Sequence, residues 1–261
     1  MIYLGTPGRM VGISCPAEQR LNTADRFSFQ TTLEGRVKAQ VRPGGRRTWD
    51  LRLPRTSTPS EVAALDAFAN GSWGPGPFWF VSADAPHTNL LSPGASQSVS
   101  MLNGGGSLGG PWDTEWGLAA RSLLNTEAAF LYWDTSVPVQ AGKPVTGSAV
   151  LQGEGHLRLW WRNGAGESSV TGSDSFSSPS GPVQVSVTAQ PPSWAEFVTL
   201  GVSREVTRAA LPAVTWTETV MPWVSGQGCE KAVVRGMSSD LVLAIPGRTF
   251  GGAEFTVQEV G

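Results

Sequence analysis

Within seven residues, the segment HLRLWWR (156–162) holds a histidine, two arginines and two tryptophans. Neighbouring residues of a strand point to opposite faces. The segment therefore sends Leu157, Leu159 and Trp161 to a core and His156, Arg158, Trp160 and Arg162 away from it. An outward indole between two guanidinium groups can stack on the apolar C–H face of a sugar ring while the arginines donate hydrogen bonds to its oxygens. A lone tryptophan seldom stays bare, so the opposing expectation is that Trp160 is covered by the Ser-rich segment after it or by a neighbouring subunit. Trp160, Arg158 and Arg162 are thus the candidate ligand-binding residues, with a glycan as the ligand class.

Other reactive chemistry finds little footing. His87 and His156 are far apart in sequence and neither has a second metal ligand at a productive local spacing, so no metal site is expected. Cys15 and Cys229 are the only cysteines, which points to free thiols and leaves no disulfide framework. The Gly-x-Ser-x-Gly pattern does not occur, and the run VTGSDSFSSPSGP (170–182) reads as a flexible loop. Paired carboxylates could hydrolyse a glycan. Asp113 and Glu115 of PWDTEW share a parity and would lie on one face of an extended segment, but solvated loop acids are commonplace. The expectation is a protein that is not an enzyme and uses no cofactor. Scattered loop acids leave a structural calcium undecided.

The elements that would position these residues are mostly strands. Hydrophobic residues make up 40% of the 261 and charged residues 15%, enough apolar material for a core and too little charge for a disordered chain. Thirty-two Gly, 19 Pro and 11 Trp describe short strands, tight turns and large indoles between layers. Residues 1–88 carry a net charge of +3 and residues 89–261 one of −5, neither dense enough to coat a phosphate backbone, so nucleic acid is not an expected partner. No run approaches ~18 apolar residues, so membrane insertion is not expected either, and MIYLGTPGRM lacks the form of an export signal.

Phe27, Phe29 and Thr31, then Val37, Ala39 and Val41, alternate on either side of Glu34-Gly35 and predict a hairpin. RTWDLRL (47–53) predicts a strand with Trp49, Leu51 and Leu53 on a dry face and Thr48, Asp50 and Arg52 on a wet one. Thr58, Pro59 and Glu61 form an N-cap, a first-turn proline and a capping box. Val62, Leu65 and Phe68 follow at helical spacing and Gly71 stands past the end. Residues 77–81 predict a buried strand. Residues 82–108 turn polar and Gly-rich, placing a domain boundary near residue 88. Nine alternating stretches follow, at 130–133, 145–151, 156–162, 183–188, 196–202, 214–219, 231–235, 241–245 and 254–260, with no helix among them. That spacing predicts a β-sandwich or jelly roll.

The segments RRTWDLRL and TPSEVAALDAFANGSWGPGPFWFVSADAPHTNLLSP resemble the N-terminal part of distal-tail and minor tail proteins of long-tailed (siphovirus-type) bacteriophages, especially those infecting actinobacteria. In that family a Trp-centred strand leads into a short helix, a Gly/Pro loop, an aromatic strand and an Asn-Leu-Leu junction. Trp49, residues 59–70, residues 77–81 and Asn89-Leu90-Leu91 occupy those places. PVQAGKPVTGSAVLQGEGHLRLWWRNGAGE is similar to part of a galectin-like or carbohydrate-binding-module-like sandwich, and TVQEVG to the closing strand of the same tail proteins. The resemblance implies a tail-ring (belt) domain over residues 1–88 with one short helix, followed by a C-terminal sandwich over 89–261. It implies a structural protein of the virion, assembled in the host cytoplasm into a ring, commonly a hexamer, at the tail tip. Its partners would be copies of itself, the tail tube protein, the tape-measure protein and the tail-tip hub, with host cell-wall glycan as a further partner of the sandwich. It supplies no catalytic residue.

Overall fold

A computed structural model describes residues 1–23, 27–31, 34–41, 46–98, 106–113, 119–125, 130–245 and 248–260, and the chain is mainly β. It opens with β1 (Ile2–Thr6), β2 (Arg9–Ile13), β3 (Glu18–Thr23), β4 (Phe27–Thr31), β5 (Val37–Val41) and β6 (Arg47–Arg52). Helix α1 (Pro59–Ala69) and β7 (Phe78–Val81) follow, then a short 3-10 turn (Ala85–His87) and the single-turn helix α2 (Pro93–Ser96). The remaining elements are strands: β8 (Gly106–Asp113), β9 (Ala119–Asn125), β10 (Leu131–Pro138), β11 (Val145–Gly155), β12 (Leu157–Arg162) and β13 (Ser168–Gly172). Next come β14 (Phe176–Ala189), β15 (Phe197–Val202), β16 (Val206–Thr215), β17 (Cys229–Ile245) and β18 (Arg248–Glu259). Among the described residues no helix is long and apolar enough to cross a membrane.

Two compact units emerge. Unit 1 comprises residues 1–2, 11–80 and 231–261, and unit 2 comprises residues 3–10 and 81–230. A single cut near residue 88 therefore does not describe the units, because the C-terminal residues group with the N-terminal ones. The cause is pairing. β18 runs antiparallel to β6, with Glu254 opposite Arg52 and Gln258 opposite Thr48, which brings a distant hairpin into the first sheet. Alternation identifies a strand but not its neighbour.

In unit 1 the sheet order is β7-β17-β18-β6-β3. Trp49, Leu51 and Leu53 are buried, as their alternation requires, and Trp49 meets Phe80 of the aromatic strand β7 in edge-to-face contact at 5.0 Å. Helix α1 buries Leu65 and Phe68, the latter edge-on to Phe78 at 4.9 Å. The helix begins at the predicted capping box, and Gly71 lies just past its end at φ +81°, a conformation that favours glycine. Glu61 does more than cap. Its carboxylate accepts from the Thr58 and Ser14 backbone N–H groups, each at 2.8 Å, and from both hydroxyls. Arg47, buried at the start of β6, grips Glu259 of β18 through Nε and Nη2, both at 2.9 Å. β4 and β5 pair as the predicted hairpin, Phe27 opposite Val41 and Thr31 opposite Val37, in a two-stranded sheet of their own.

Unit 2 is a β-sandwich. A four-stranded sheet, β10-β15-β12-β13, packs on a sheet ordered β14-β11-β16-β9-β8. Leu131, Trp133, Leu157, Leu159, Trp161, Val198 and Leu200 meet Val145, Ala149, Leu151, Val187 and Val214 between them. Gly147 permits close approach, since a Cβ there would stand 2.6 Å from Leu200 Cδ1 and 3.0 Å from Leu159 Cδ2.

Three expectations are corrected here. The polar run after residue 82 is not simply a boundary: Ala85, Leu90, Leu91 and Ala95 belong to the unit 2 core. Asn89 is fully buried. Its amide donates to the Pro212 and Val224 carbonyls at 3.1 and 3.0 Å and accepts from the Leu91 and Val214 N–H groups at 3.1 and 3.2 Å, so a polar residue there fastens three backbone segments. The Ser-rich segment 170–182 is largely strand, because β14 finds a partner in β11, with Ser177 opposite Glu154 and Ser178 opposite Gly153; ladder hydrogen bonds override loop-like composition. Residues 231–235 and 241–245 belong to one strand, β17, whose register shifts between Arg235 and Ser238, around Gly236 at φ +58°.

Candidate functional site

Strand β12 has the predicted polarity. Leu157, Leu159 and Trp161 are buried while Arg158, Trp160 and Arg162 on the other face are half-exposed. The inward indole is satisfied, with Trp161 Nε1 donating to Thr171 Oγ1 at 3.0 Å. His156, just before the strand, is held by a 2.8 Å hydrogen bond between Nδ1 and the Ser173 carbonyl.

The outward face is built from three neighbouring strands. In register, Arg158 lies opposite Gly201 of β15, which lies opposite Tyr132 of β10; one row along, Trp160 is flanked by Thr199 and by Val170 of β13. β10 and β12 are separated by β15, about 10 Å apart at the backbone. The Tyr132 and Trp160 rings nevertheless approach to 5.3 Å between centroids, so both lean over the middle strand. Gly201 allows this: a Cβ there would lie 2.9 Å from Tyr132 Cε1 and closer still to Cδ1. Thr199 is fully buried although it belongs to the outward row. Phe130 extends the line, 6.4 Å from Tyr132 with the two rings 27° from parallel.

Guanidinium groups pack on this aromatic row. Arg162 lies over the Trp160 ring at 4.5 Å, and Arg158 and Arg204 over the Phe130 ring at 5.2 and 4.8 Å. Cation–π contacts of this kind are each worth about 0.5–1 kcal/mol at exposed sites. Burial pushes the Tyr132 hydroxyl above its ordinary range, opposed by the charges of Arg162, Arg158 and Arg204. Glu205 lies in the field of these arginines. Its own backbone N–H and the Ser203 hydroxyl hold its carboxyl below the usual range, with smaller contributions from Arg158 and Arg204. Among the described residues neither Arg158 nor Arg162 has a carboxylate within ion-pair distance.

The three residues singled out from the sequence thus lie on one face, and Trp160 remains half-exposed beside β13. Sequence reasoning missed Phe130, Tyr132, Gly201 and Arg204. The first two carry a signal, since FLYW alternates and sends Phe130 and Tyr132 to the face opposite Leu131 and Trp133. Gly201 and Arg204 carry none until the pairing of β10, β15 and β12 is known. Glu115 lies outside the described residues, and Asp113 is described only as the last residue of β8. Among the described residues no cluster of His, Cys, Asp and Glu could hold a metal ion.

No family model matches the chain, and no curated protein matches it. A solved structure of the CBM22-1-GH10 modules of an N-terminal endo-1,4-beta-D-xylanase 10B from Clostridium thermocellum, complexed with xylohexaose, is similar over 48% of this chain at 11% identity, with a TM-score of 0.35. The chain spans 27% of that chain's length, a likeness too slight to carry an assignment.

Proposed function

We propose that this protein is a non-enzymatic structural component of a bacteriophage tail tip, in which unit 1 self-associates into a ring joining the tail tube to the tail-tip hub. The resemblance of residues 46–93 to distal-tail and minor tail proteins supports the tail assignment. The observation that carries self-association is the set of strands in unit 1 that, among the described residues, lack a full complement of neighbours. β4 and β5 pair as a separate two-stranded sheet, a size that is marginal alone in water. β3 closes one edge of the main sheet with all six residues exposed, including Leu21. Beyond Glu254, β18 is met by the segment after β6, with Leu53 N–H donating to the Ala253 carbonyl and Gly251 N–H to that of Ser57, and past Gly251 it runs on with β17 as far as Arg248 opposite Ile245. Unpaired strand edges invite pairing with another chain, and a closed ring satisfies them without leaving an end. Light scattering of the purified protein at micromolar concentration should give a mass several times 27.6 kDa, and Leu21→Pro, which removes an edge N–H, should lower it. A wild-type mass of one chain, unchanged by added tail tubes, overturns the reading.

A second reading concerns unit 2 and is favoured by the row Phe130, Tyr132 and Trp160: this face binds host cell-wall glycan, with sugar rings against the aromatic row and Arg158 and Arg162 donating to sugar oxygens. Trp160→Ala should weaken binding to host cell walls by about 1–3 kcal/mol. Wild-type protein that leaves cell walls untouched removes this reading.

A further inference from the structure

A second concave site lies on the other sheet of the sandwich. Residues 217–224 cross its outward face as a strap, held where Thr146 Oγ1 donates to the Thr217 carbonyl at 2.7 Å and Trp223 Nε1 to the Pro212 carbonyl at 3.1 Å. Trp223 packs on Val150, Ala210 and Leu211. A cavity of about 480 Å³ remains beside it, lined by Ser148, Val150, Gln184, Leu211 and residues 220–223, none of them charged. β16 bulges here, since Ser148 lies opposite Ala213 but Val150 opposite Ala210, and Leu211 takes φ +49°, a left-handed conformation unusual for its side chain. Strain of this kind gathers at ligand sites. Ser148 is only 6% exposed, and its hydroxyl has no hydrogen-bond partner among the described residues. A ligand that supplies one removes a standing cost.

Gln184, on the cavity's border, belongs to an open edge. β14 ends the sheet order and pairs with β11 alone, from Val183 opposite Leu151 to Ala189 opposite Val145. Every second residue of such a strand turns its N–H and C=O away from its neighbour. Among the described residues no backbone group pairs with this outer edge. Natural edges are blunted by charge or proline, and VQVSVTA (183–189) holds neither. We infer that an extended segment of a partner polypeptide adds to β14 as a further strand and places a tyrosine in the cavity, its hydroxyl bonded to that of Ser148. Strand addition supplies affinity and a cavity beside the edge supplies specificity. The added strand stands about 10 Å from β11, two strand spacings, so only a long side chain leaning over β14 reaches Ser148, as Tyr132 leans over β15 on the other sheet. Lysine and arginine are long enough but bring an unpaired charge to an uncharged lining. Phenylalanine leaves the Ser148 hydroxyl unmet, whereas tyrosine has both an apolar body and a polar tip. A sugar would bury several hydroxyls against two polar side chains, Ser148 and Gln184, and leave the edge unpaired.

Fluorescence anisotropy of the 261-residue protein with a labelled, end-capped peptide Thr-Val-Thr-Tyr-Thr-Val-Thr, and with its central Phe and Asp counterparts, separates the contributions. The Tyr peptide should bind about fivefold more tightly than the Phe peptide, the scale of one neutral hydrogen bond. The Asp peptide should bind at least about tenfold more weakly than the Phe peptide, since its charge finds no partner. Ser148→Ala should bring the Tyr peptide to the affinity of the Phe peptide and leave the latter unchanged, a pattern that misfolding would not produce. Methylating alternate backbone nitrogens of the Tyr peptide, in each of the two phases, should abolish binding in at least one. Undiminished binding in both phases overturns strand addition, and equal affinity of the Tyr and Phe peptides for wild type overturns the tyrosine. Failure of all three peptides to bind at millimolar concentration overturns the inference as a whole. A fall in particle mass on adding the Tyr peptide would show that a second copy occupies the edge, and displacement of that peptide by cell-wall glycan would give the cavity to a sugar; either result overturns the polypeptide partner.

Discussion

Strand β6 of unit 1 and strand β12 of unit 2 share a design on one side and diverge on the other. Each buries alternate large apolar residues: Trp49 and Leu51 in the first, Leu157, Leu159 and Trp161 in the second. On the opposite side β6 shows Asp50 and Arg52, both matched by neighbours. Asn22 and Thr256 donate to Asp50 at 2.8 and 2.9 Å, and Arg52 pairs with Glu254 at 3.2 Å. β12 shows Arg158, Trp160 and Arg162, whose partners are aromatic rings. The first polar face satisfies itself within its own sheet, while the second holds oriented cations and ring faces together. Side chains in the same pleat position therefore pair with polar neighbours in one unit and pack on aromatic rings in the other, and what separates them is the identity of the cross-strand neighbours.

The comparison breaks first if the inward residues are not equivalent. Trp49→Ala and Trp161→Ala should each cost about 3–5 kcal/mol, the loss expected for a fully buried aromatic, measured by denaturant unfolding of each variant. A cost under about 1 kcal/mol in either would show that its strand does not anchor its unit.

Gly201→Val comes next. Its side chain must displace Tyr132 from above β15, so the expected cost is about 1–3 kcal/mol. The fluorescence of Trp160 should report the loss of its tyrosine neighbour. An unshifted spectrum in a stable variant would show that the two rings do not depend on the glycine.

Glu61→Gln sharpens the contrast from the unit 1 side, where the Glu61 carboxylate is held by Ser14 and Thr58. Burial raises the Glu61 carboxyl, but hydrogen bonds from Ser14 and Thr58 outweigh it and hold the group below its ordinary value. A depressed carboxyl stabilises the fold above its unfolded value of 4.5 and ceases to do so as pH falls through the folded one. The variant should lose about 1 kcal/mol near neutral pH, and its deficit relative to wild type should shrink below pH 4.5. A deficit that stays constant into acid would assign the effect to geometry alone. The smallest effects belong to the outward residues. Asp50→Asn should change stability by no more than about 0.5 kcal/mol, in keeping with an exposed polar cluster.

Much of this was legible in the residues themselves. The capping box at Thr58 and Glu61, the alternation of RTWDLRL and HLRLWWR, and the hairpin at residues 27–41 are local, and local chemistry set them. What was hidden depends on distant pairing. Nothing in TVQEVG reveals that it lies against RTWDLRL, and nothing in SSPSG that β11 waits beside it. Asn89 stood out only as part of a pattern, although its four hydrogen bonds make it a hub of unit 2. The candidate face was half visible, since Arg158, Trp160 and Arg162 share a strand whereas Tyr132, Gly201 and Arg204 reach it from elsewhere.

The proposal that unit 1 completes its open strands with further copies is tested most directly by electron-microscope images of the purified protein, alone and mixed with tail tubes. Closed rings of one fixed copy number, alone or seated at one end of the tubes, are the predicted result. Single separated chains in both samples would contradict it.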